Sequence, residues 1–148
     1  MSRDDLVSDA RASNCVDLGD QWDGLSVLLL SGPIAVGKST VSSVLVSAHG
    51  FGALKSSTYL KALAAGSAIE PSRLALQELG DTLDVETHFS WVVDQVAIPA
   101  ITSNPDCSRW LFDSVRKVEQ VRHFRKTFGR SVFHVHFVAD EETLRERF

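Results

Sequence analysis

Gly32-Pro33-Ile34-Ala35-Val36-Gly37-Lys38-Ser39-Thr40 satisfies the pattern G-x-x-x-x-G-K-[S/T] at every fixed position. Each fixed position has a physical task. The two glycines let the main chain bend tightly, so that successive amide hydrogens point inward at one anion. Lys38 brings a compact positive charge to terminal phosphates, and the Ser39 hydroxyl can ligate Mg²⁺. Just before this stretch, Leu25-Ser26-Val27-Leu28-Leu29-Leu30 is a near-continuous apolar run, which predicts a parallel strand buried on both faces. Just after it, Val41, Val44, Leu45 and Ala48 recur at helical spacing, and Gly50 is placed to end that helix. A strand, a glycine turn and a helix in that order aim a positive helix N-terminus at the same anion. The stretch predicts a cradle for nucleotide phosphates; the alternative is a glycine-rich turn in an unrelated doubly wound protein.

Working outward, strand-like and helix-like segments alternate. Phe51 to Lys55 predicts a short strand, and Ser56-Ser57-Thr58 supplies N-cap candidates for a helix through Tyr59, Leu60, Leu63 and Ala64. Pro71 opens a helix over Ser72 to Leu79, Gly80 punctuates it, and another helix is expected from about Val85 to Ala97. Pro99, Asn104 and Pro105 mark a loop before the strand Arg109-Trp110-Leu111-Phe112-Asp113. A basic amphipathic helix follows, with Val118, Val121, Phe124 and Phe128 on one face, then a strand from Ser131 to Val138 and a last helix capped by Asp140. Strands separated by helices predict an α/β fold with a parallel sheet.

Composition agrees with one folded domain. The chain has 148 residues, 44% apolar and 23% charged, too short for two comfortable domains and too apolar for wholesale disorder. No apolar run approaches the roughly 18 residues of a membrane span, and Met1-Ser2-Arg3-Asp4-Asp5 lacks the order of a secretory signal, so a cytoplasmic protein is expected. Cys15 and Cys107 are too few for a disulfide framework. Residues 1–24 hold six Asp against two Arg and are expected to form a flexible acidic tail, with Trp22 docking at its end. The net charge of −4 belongs to that tail; residues 25–148 balance 13 positive against 13 negative, which gives no general footprint for nucleic acid.

With the phosphate loop opening the domain, the sequence from Leu25 to Phe148 resembles a P-loop NTPase of the nucleotide-kinase branch, the adenylate kinase-like and deoxynucleoside monophosphate kinase-like proteins. The resemblance implies a three-layer fold, a parallel sheet of about four strands flanked by helices. It also implies ATP and Mg²⁺ as cofactors, and transfer of the γ-phosphoryl group to a nucleoside monophosphate. No Asn-Lys-x-Asp guanine motif follows the loop, which disfavours a GTPase. Leu111-Phe112-Asp113 resembles a strand ending in the carboxylate that holds Mg²⁺ through water beside Ser39. Asp113-Ser114-Val115-Arg116, followed by Glu119, is similar to the Asp-x-Arg motif of phage-type deoxynucleoside monophosphate kinases, which places Arg116 at the acceptor. Lys61 stands where the family has an acceptor-phosphate arginine, and a lysine lacks the bidentate fork. Such kinases continue with an arginine-bearing lid and a fifth strand; Arg145 and Arg147 resemble the first lid arginines, so the chain is expected to be incomplete at its C-terminus.

Other residues carry two readings each. Arg73 and Gln77 stand four apart on one helix face and either reach the acceptor or lie on the surface; Lys61 is either an acceptor ligand or a solvated residue. Asp81 and Asp84 read as cap and turn residues. The basic helix from Arg116 to Arg130 is a solvated face, an anion-facing wall, or a nucleic-acid contact. His134 and His136 share a strand face, as buried hydrogen-bonded histidines or as metal ligands given a third donor. Three functions remain open: a nucleoside monophosphate kinase, a kinase for another small metabolite, and an incomplete nucleotide-binding module. A homo-oligomer or a partner covering the C-terminal edge fits the last.

Overall fold

The computed structural model describes residues 20–147. The acidic stretch up to residue 19, with Cys15, and Phe148 lie outside the described residues. Four strands, β1 (Ser26–Ser31), β2 (Gly52–Ala53), β3 (Arg109–Phe112) and β4 (Val132–His136), form one all-parallel sheet in the order β2-β3-β1-β4. The helices are α1 (Lys38–His49), α2 (Ser56–Gly66), α3 (Arg73–Glu86), α4 (Ile98–Ser103), α5 (Val118–Phe128) and α6 (Glu141–Arg147). The expected α/β architecture is therefore present, a four-stranded parallel sheet flanked by helices. Among the described residues no helix is long and apolar enough to cross a membrane.

The apolar run of β1 puts it in the centre of the sheet, where both neighbours saturate its hydrogen bonds. Leu29 registers with Phe112 on one side and with His134 on the other. On the face shared by Val27, Leu29, Trp110 and Phe112, the core packs against Trp91, Val92, Val96, Phe124 and Phe128. Phe112 stacks on Phe124 at 5.5 Å, and burying such a ring contributes about 1.5–3 kcal/mol. Trp22 closes the bottom of this core, its ring edge against Phe128 at 4.8 Å.

Several sequence expectations are corrected. Gly80 does not stop a helix: α3 runs through it to Glu86, with Gly80 and Asp84 buried against the domain. Asp81 and Asp84 are consequently mid-helix residues rather than caps or turns. The break comes at His88 and Phe89, both at positive φ. The helix expected to begin near Val85 instead follows as a π-helical stretch, Val92–Ala97, that runs without a break into α4, so Pro99, expected in a loop, lies within a continuous helix. On α1, Val44 and Val46 are exposed and Ser42 is the buried residue, so the helical face read from valine spacing is not the one that packs. Val118, placed on the apolar face of α5, is 56% exposed. Asp140 does cap α6, its Oδ1 accepting the Thr143 amide at 2.7 Å.

Candidate functional site

The phosphate loop begins where β1 ends. Ser31 closes the strand by accepting the Phe137 amide at 2.8 Å, which brings β4's extension against the loop. A Cβ on Gly32, at φ 139°, would lie 2.6 Å from the Phe137 carbonyl oxygen, so only glycine fits. Gly37, at φ 106°, turns the chain into α1 and caps it without a side-chain bond, leaving the first amides of the helix unpaired by any cap. Ala35, at φ 67°, holds the strained conformation that loops of this kind store at functional sites. Val36 is buried and anchors the loop, while Pro33, Ile34, Ser39 and Thr40 face outward. Lys38 arches back, its Nζ donating to the Gly32 and Pro33 carbonyls at 2.6 and 2.7 Å, so the charge is held at the mouth of the loop.

Two clefts open beside the end of β3. The first, about 390 Å³, is lined by Ser39, Ser42 and Ser43 of α1 together with Lys55, Leu111 and Asp113. It brings together Ser39, from the first turn of the helix that follows β1, and Asp113, from the end of β3. Ser114 Oγ donates to Asp113 Oδ1 at 3.1 Å. A hydroxyl and one carboxylate are hard oxygen donors of the kind Mg²⁺ takes while keeping waters and phosphate oxygens, so these residues fit that ion. Among the described residues no cluster of three or more His, Cys, Asp or Glu is placed to hold a metal by itself.

The second cleft, about 350 Å³, is lined by Ser56, Ser57, Arg73, Gln77, Trp91 and Arg116, with Gln120 behind. Residues of β3 and its extension alternate between the two: Leu111 and Asp113 face the first, Phe112 and Ser114 the second. Arg73, Gln77 and Arg116, far apart in the chain, are thus brought together. Ser72 caps α3 by accepting the Ala75 amide, which sets Arg73 and Gln77 on one face. Arg116 has its amide bound to Gln120 Oε1 at 3.1 Å and its guanidinium 3.6 Å from Asp81. Lys61 is exposed on α2 and lies outside the cleft. Arg145 pairs with Glu141 on the exposed α6, and neither it nor Arg147 lines either cleft.

The linked group of Asp84, Lys117 and Gln120 at the second cleft was not foreseen from the sequence, which read Asp84 as a cap or turn residue. Asp84 is fully buried, and its Oδ1 accepts the Trp91 indole N–H at 2.8 Å and the Gln120 amide at 3.4 Å. Lys117 reaches Asp84 Oδ2 at 3.2 Å and Asp81 at 3.4 Å, and the close Asp84 carboxylate raises the lysine's pKa above its ordinary 10.5. A signal was present: Arg73, Gln77, Gly80 and Asp84 recur at helical spacing and make one stripe along α3.

His134 Nε2 and His136 Nδ1 both lie 2.8 Å from the Ser31 hydroxyl. The hydroxyl has one hydrogen, so it donates to one ring and accepts from the other. Both histidines are exposed, not buried as expected of sheet histidines; β4 is the edge strand, with Phe133 and Val135 also exposed. Partial burial, then the charges of Arg125 and His136, hold the His134 pKa below 6.5.

No curated protein matches the chain. A family model described as an AAA domain (AAA_33) matches residues 27–148, from the second residue of β1 through every later element. Loop, sheet order and matched span agree, and the chain belongs to this AAA domain family of P-loop, nucleotide-binding, kinase-like proteins.

Proposed function

We propose that the protein transfers the γ-phosphoryl group of Mg·ATP to a nucleoside monophosphate. The observation that carries this reading is the second cleft, where Arg73 and Arg116 meet beside the end of β3, across that strand from the cleft holding Ser39 and Asp113. Two guanidiniums facing one cavity suit a phosphate, because each offers a planar fork of donors. The uncapped N-terminus of α2, with Ser56 and Ser57, adds amide and hydroxyl donors to the same wall. Leu60, Leu76, Val92 and Trp91 supply the apolar surface that a nucleobase needs.

In this mechanism the loop amides from Ile34 to Thr40 and Lys38 hold the β and γ phosphates. Ser39 and Asp113 would hold Mg²⁺, which would supply neutralisation of the charge on the phosphates. Lys38 leaves the Gly32 and Pro33 carbonyls for phosphate oxygens. Arg73 and Arg116 orient the acceptor phosphate, and Gln77 contacts the acceptor. An acceptor oxygen then forms a bond to the γ-phosphorus as the bond to the β–γ bridging oxygen breaks, releasing ADP. Positioning and electrostatics carry the reaction, and no covalent nucleophile is required.

The test is acceptor-dependent ADP release across a panel of ribo- and deoxynucleoside monophosphates. One acceptor is expected to stimulate release, and Lys38→Ala to abolish it. Mg·ATP binding without stimulation by any member of the panel would overturn the acceptor assignment. A non-phosphorylated acceptor would instead tolerate Arg73→Ala and Arg116→Ala.

A further inference from the structure

Asp84 is 0% exposed and lines neither of the two clefts. Burying an ionised carboxylate costs several kcal/mol, and a buried ion pair is often no more stabilising than apolar residues of the same volume. Its burial is therefore weak evidence of a stabilising role. Its geometry does more: three donors from two segments, the start of the π-helical stretch and the first turn of α5, converge on it. Trp91 Nε1 and Gln120 Nε2 meet Oδ1, while the Lys117 ammonium faces Oδ2 at 3.2 Å, too obliquely for a hydrogen bond but close enough for an ion pair. Trp91 and Gln120 both line the second cleft, and the far end of the Gln120 amide accepts the Arg116 main-chain N–H. Arg116 is thus bracketed, by Gln120 at its own amide and by Lys117, the next residue, through its side chain. Trp91 is also fixed from its other side, stacked on Tyr59 at 5.8 Å.

We propose that Asp84 is a positioning residue of the acceptor cleft: it gathers Trp91, Gln120 and Lys117 and, through Gln120, sets the main chain that aims Arg116. This rests on reading that cleft as the acceptor site. Only a carboxylate meets the demand, because it has acceptor oxygens on both sides and no donor. In Asp84→Asn one side becomes N–H₂, which faces either the Lys117 ammonium or the indole N–H, donor against donor. Replacing the lysine as well removes one of the competing donors. Asp84→Asn/Lys117→Met then lets the asparagine oxygen serve Trp91 and Gln120, with its N–H₂ toward the partly exposed space Lys117 vacates.

The experiment compares wild type, Asp84→Asn and the double variant in the full chain. Nucleoside monophosphate and Mg·ATP affinities are measured by calorimetry. Exchange of the Arg116 amide and the position of the Trp91 indole signal are followed by NMR, the latter identified with Trp91→Phe. Asp84→Asn is expected to weaken the acceptor about 10- to 100-fold, as expected for a displaced contact group. It should leave Mg·ATP within about twofold, speed Arg116 exchange and shift the indole signal, and the double variant should recover all of these. Equal losses for acceptor and Mg·ATP, or an Arg116 amide as protected in Asp84→Asn as in wild type, would overturn the proposal. If wild type binds no nucleoside monophosphate, the acceptor assignment fails, while Arg116 exchange and the indole signal still decide the role of Asp84. Should Asp84→Asn not fold, Gln120→Met removes both the bond to Asp84 and the acceptor of the Arg116 amide, and unchanged protection of that amide sinks the idea.

Discussion

The phosphate loop is one continuous run, Gly32 to Thr40, shaped by the conformations of Gly32, Ala35 and Gly37 and by the contact of Gly32 with Phe137. The second cleft, proposed as the acceptor site, is assembled from α2, α3, the π-helical stretch, the loop after β3 and α5, and most of its polar groups are side chains. Main-chain donors are fixed by the fold, so the first site is expected to tolerate change at Ile34 or Pro33 but not at its glycines. Side-chain donors depend on packing, so the second site is vulnerable at residues, such as Asp84, that never touch a ligand. On the function proposed above, the same contrast separates generic phosphate binding from specificity: every nucleotide offers phosphates, and the second cleft would tell one acceptor from another.

The sharpest way to break this contrast is a crossed pair of substitutions. Lys38→Ala removes a preorganised charge from the loop, and about a 100- to 1,000-fold loss of Mg·ATP affinity is expected, with acceptor affinity unchanged. Arg116→Ala removes a charge-assisted contact, worth about 1.5–3 kcal/mol, so acceptor KM should rise about 10- to 100-fold at constant ATP KM. Calorimetry with each ligand checks Lys38→Ala, and steady-state kinetics with each substrate varied in turn checks Arg116→Ala. If Arg116→Ala weakens Mg·ATP as strongly as the acceptor, the two sites are one and the contrast fails.

The loop was legible because its information is local: glycines, lysine and serine at fixed spacing, between a buried strand and a helix. Most strands and helices were legible for the same reason, through apolar runs and caps such as Asp140. The acceptor cleft was legible only in its exposed ends, Arg73, Gln77 and Arg116, since basic and amide residues attract attention in a kinase-like chain. What holds it was not. Asp84 reads as a turn residue when Gly80 is taken for a stop, and Gly80 misleads because glycine is a poor helix former whose tertiary surroundings override propensity. Pro99 misled in the same way, its place within a continuous helix being invisible until the π-helical stretch is known. Lys61 matched a family position by spacing, but its place on the outer side of α2 depends on which face packs. His134 and His136 were expected to be buried because a clear strand pattern says nothing about whether the strand sits at an edge.

A smaller effect tests how tightly α3 is pressed into the acceptor side. A Cβ on Gly80 would meet Leu60, Arg116 and Trp91 atoms at 3.6, 3.7 and 4.0 Å, all ordinary contacts. Helix propensity then decides, and Gly80→Ala is expected to gain up to about 1 kcal/mol in denaturant unfolding, with acceptor affinity unchanged. A loss of stability would mean that α3 needs the glycine for close approach, and that the cleft wall is tighter than these distances imply.

The smallest effect belongs to the phosphate side and comes from pH. His134 and His136 hold Ser31, the residue that leads into Gly32, and His134 titrates below 6.5 because burial, then Arg125 and His136, disfavour its charged form. The unfolded chain takes up this proton near pH 6.5 and the folded one only at lower pH, so the unfolded state binds more protons between those values. Its contribution to stability is present above pH 6.5 and is lost as pH falls through that window. His134→Gln keeps a hydrogen-bonding partner for Ser31 and removes the titration, so its Tm should fall less steeply than wild type between about pH 7 and pH 5. Mg·ATP affinity should show the same divergence, and comparing the two proteins cancels the titration of ATP's own phosphate. Parallel curves for wild type and His134→Gln would show that β4 does not communicate with the loop, leaving the Phe137–Ser31 main-chain bond as the link between them.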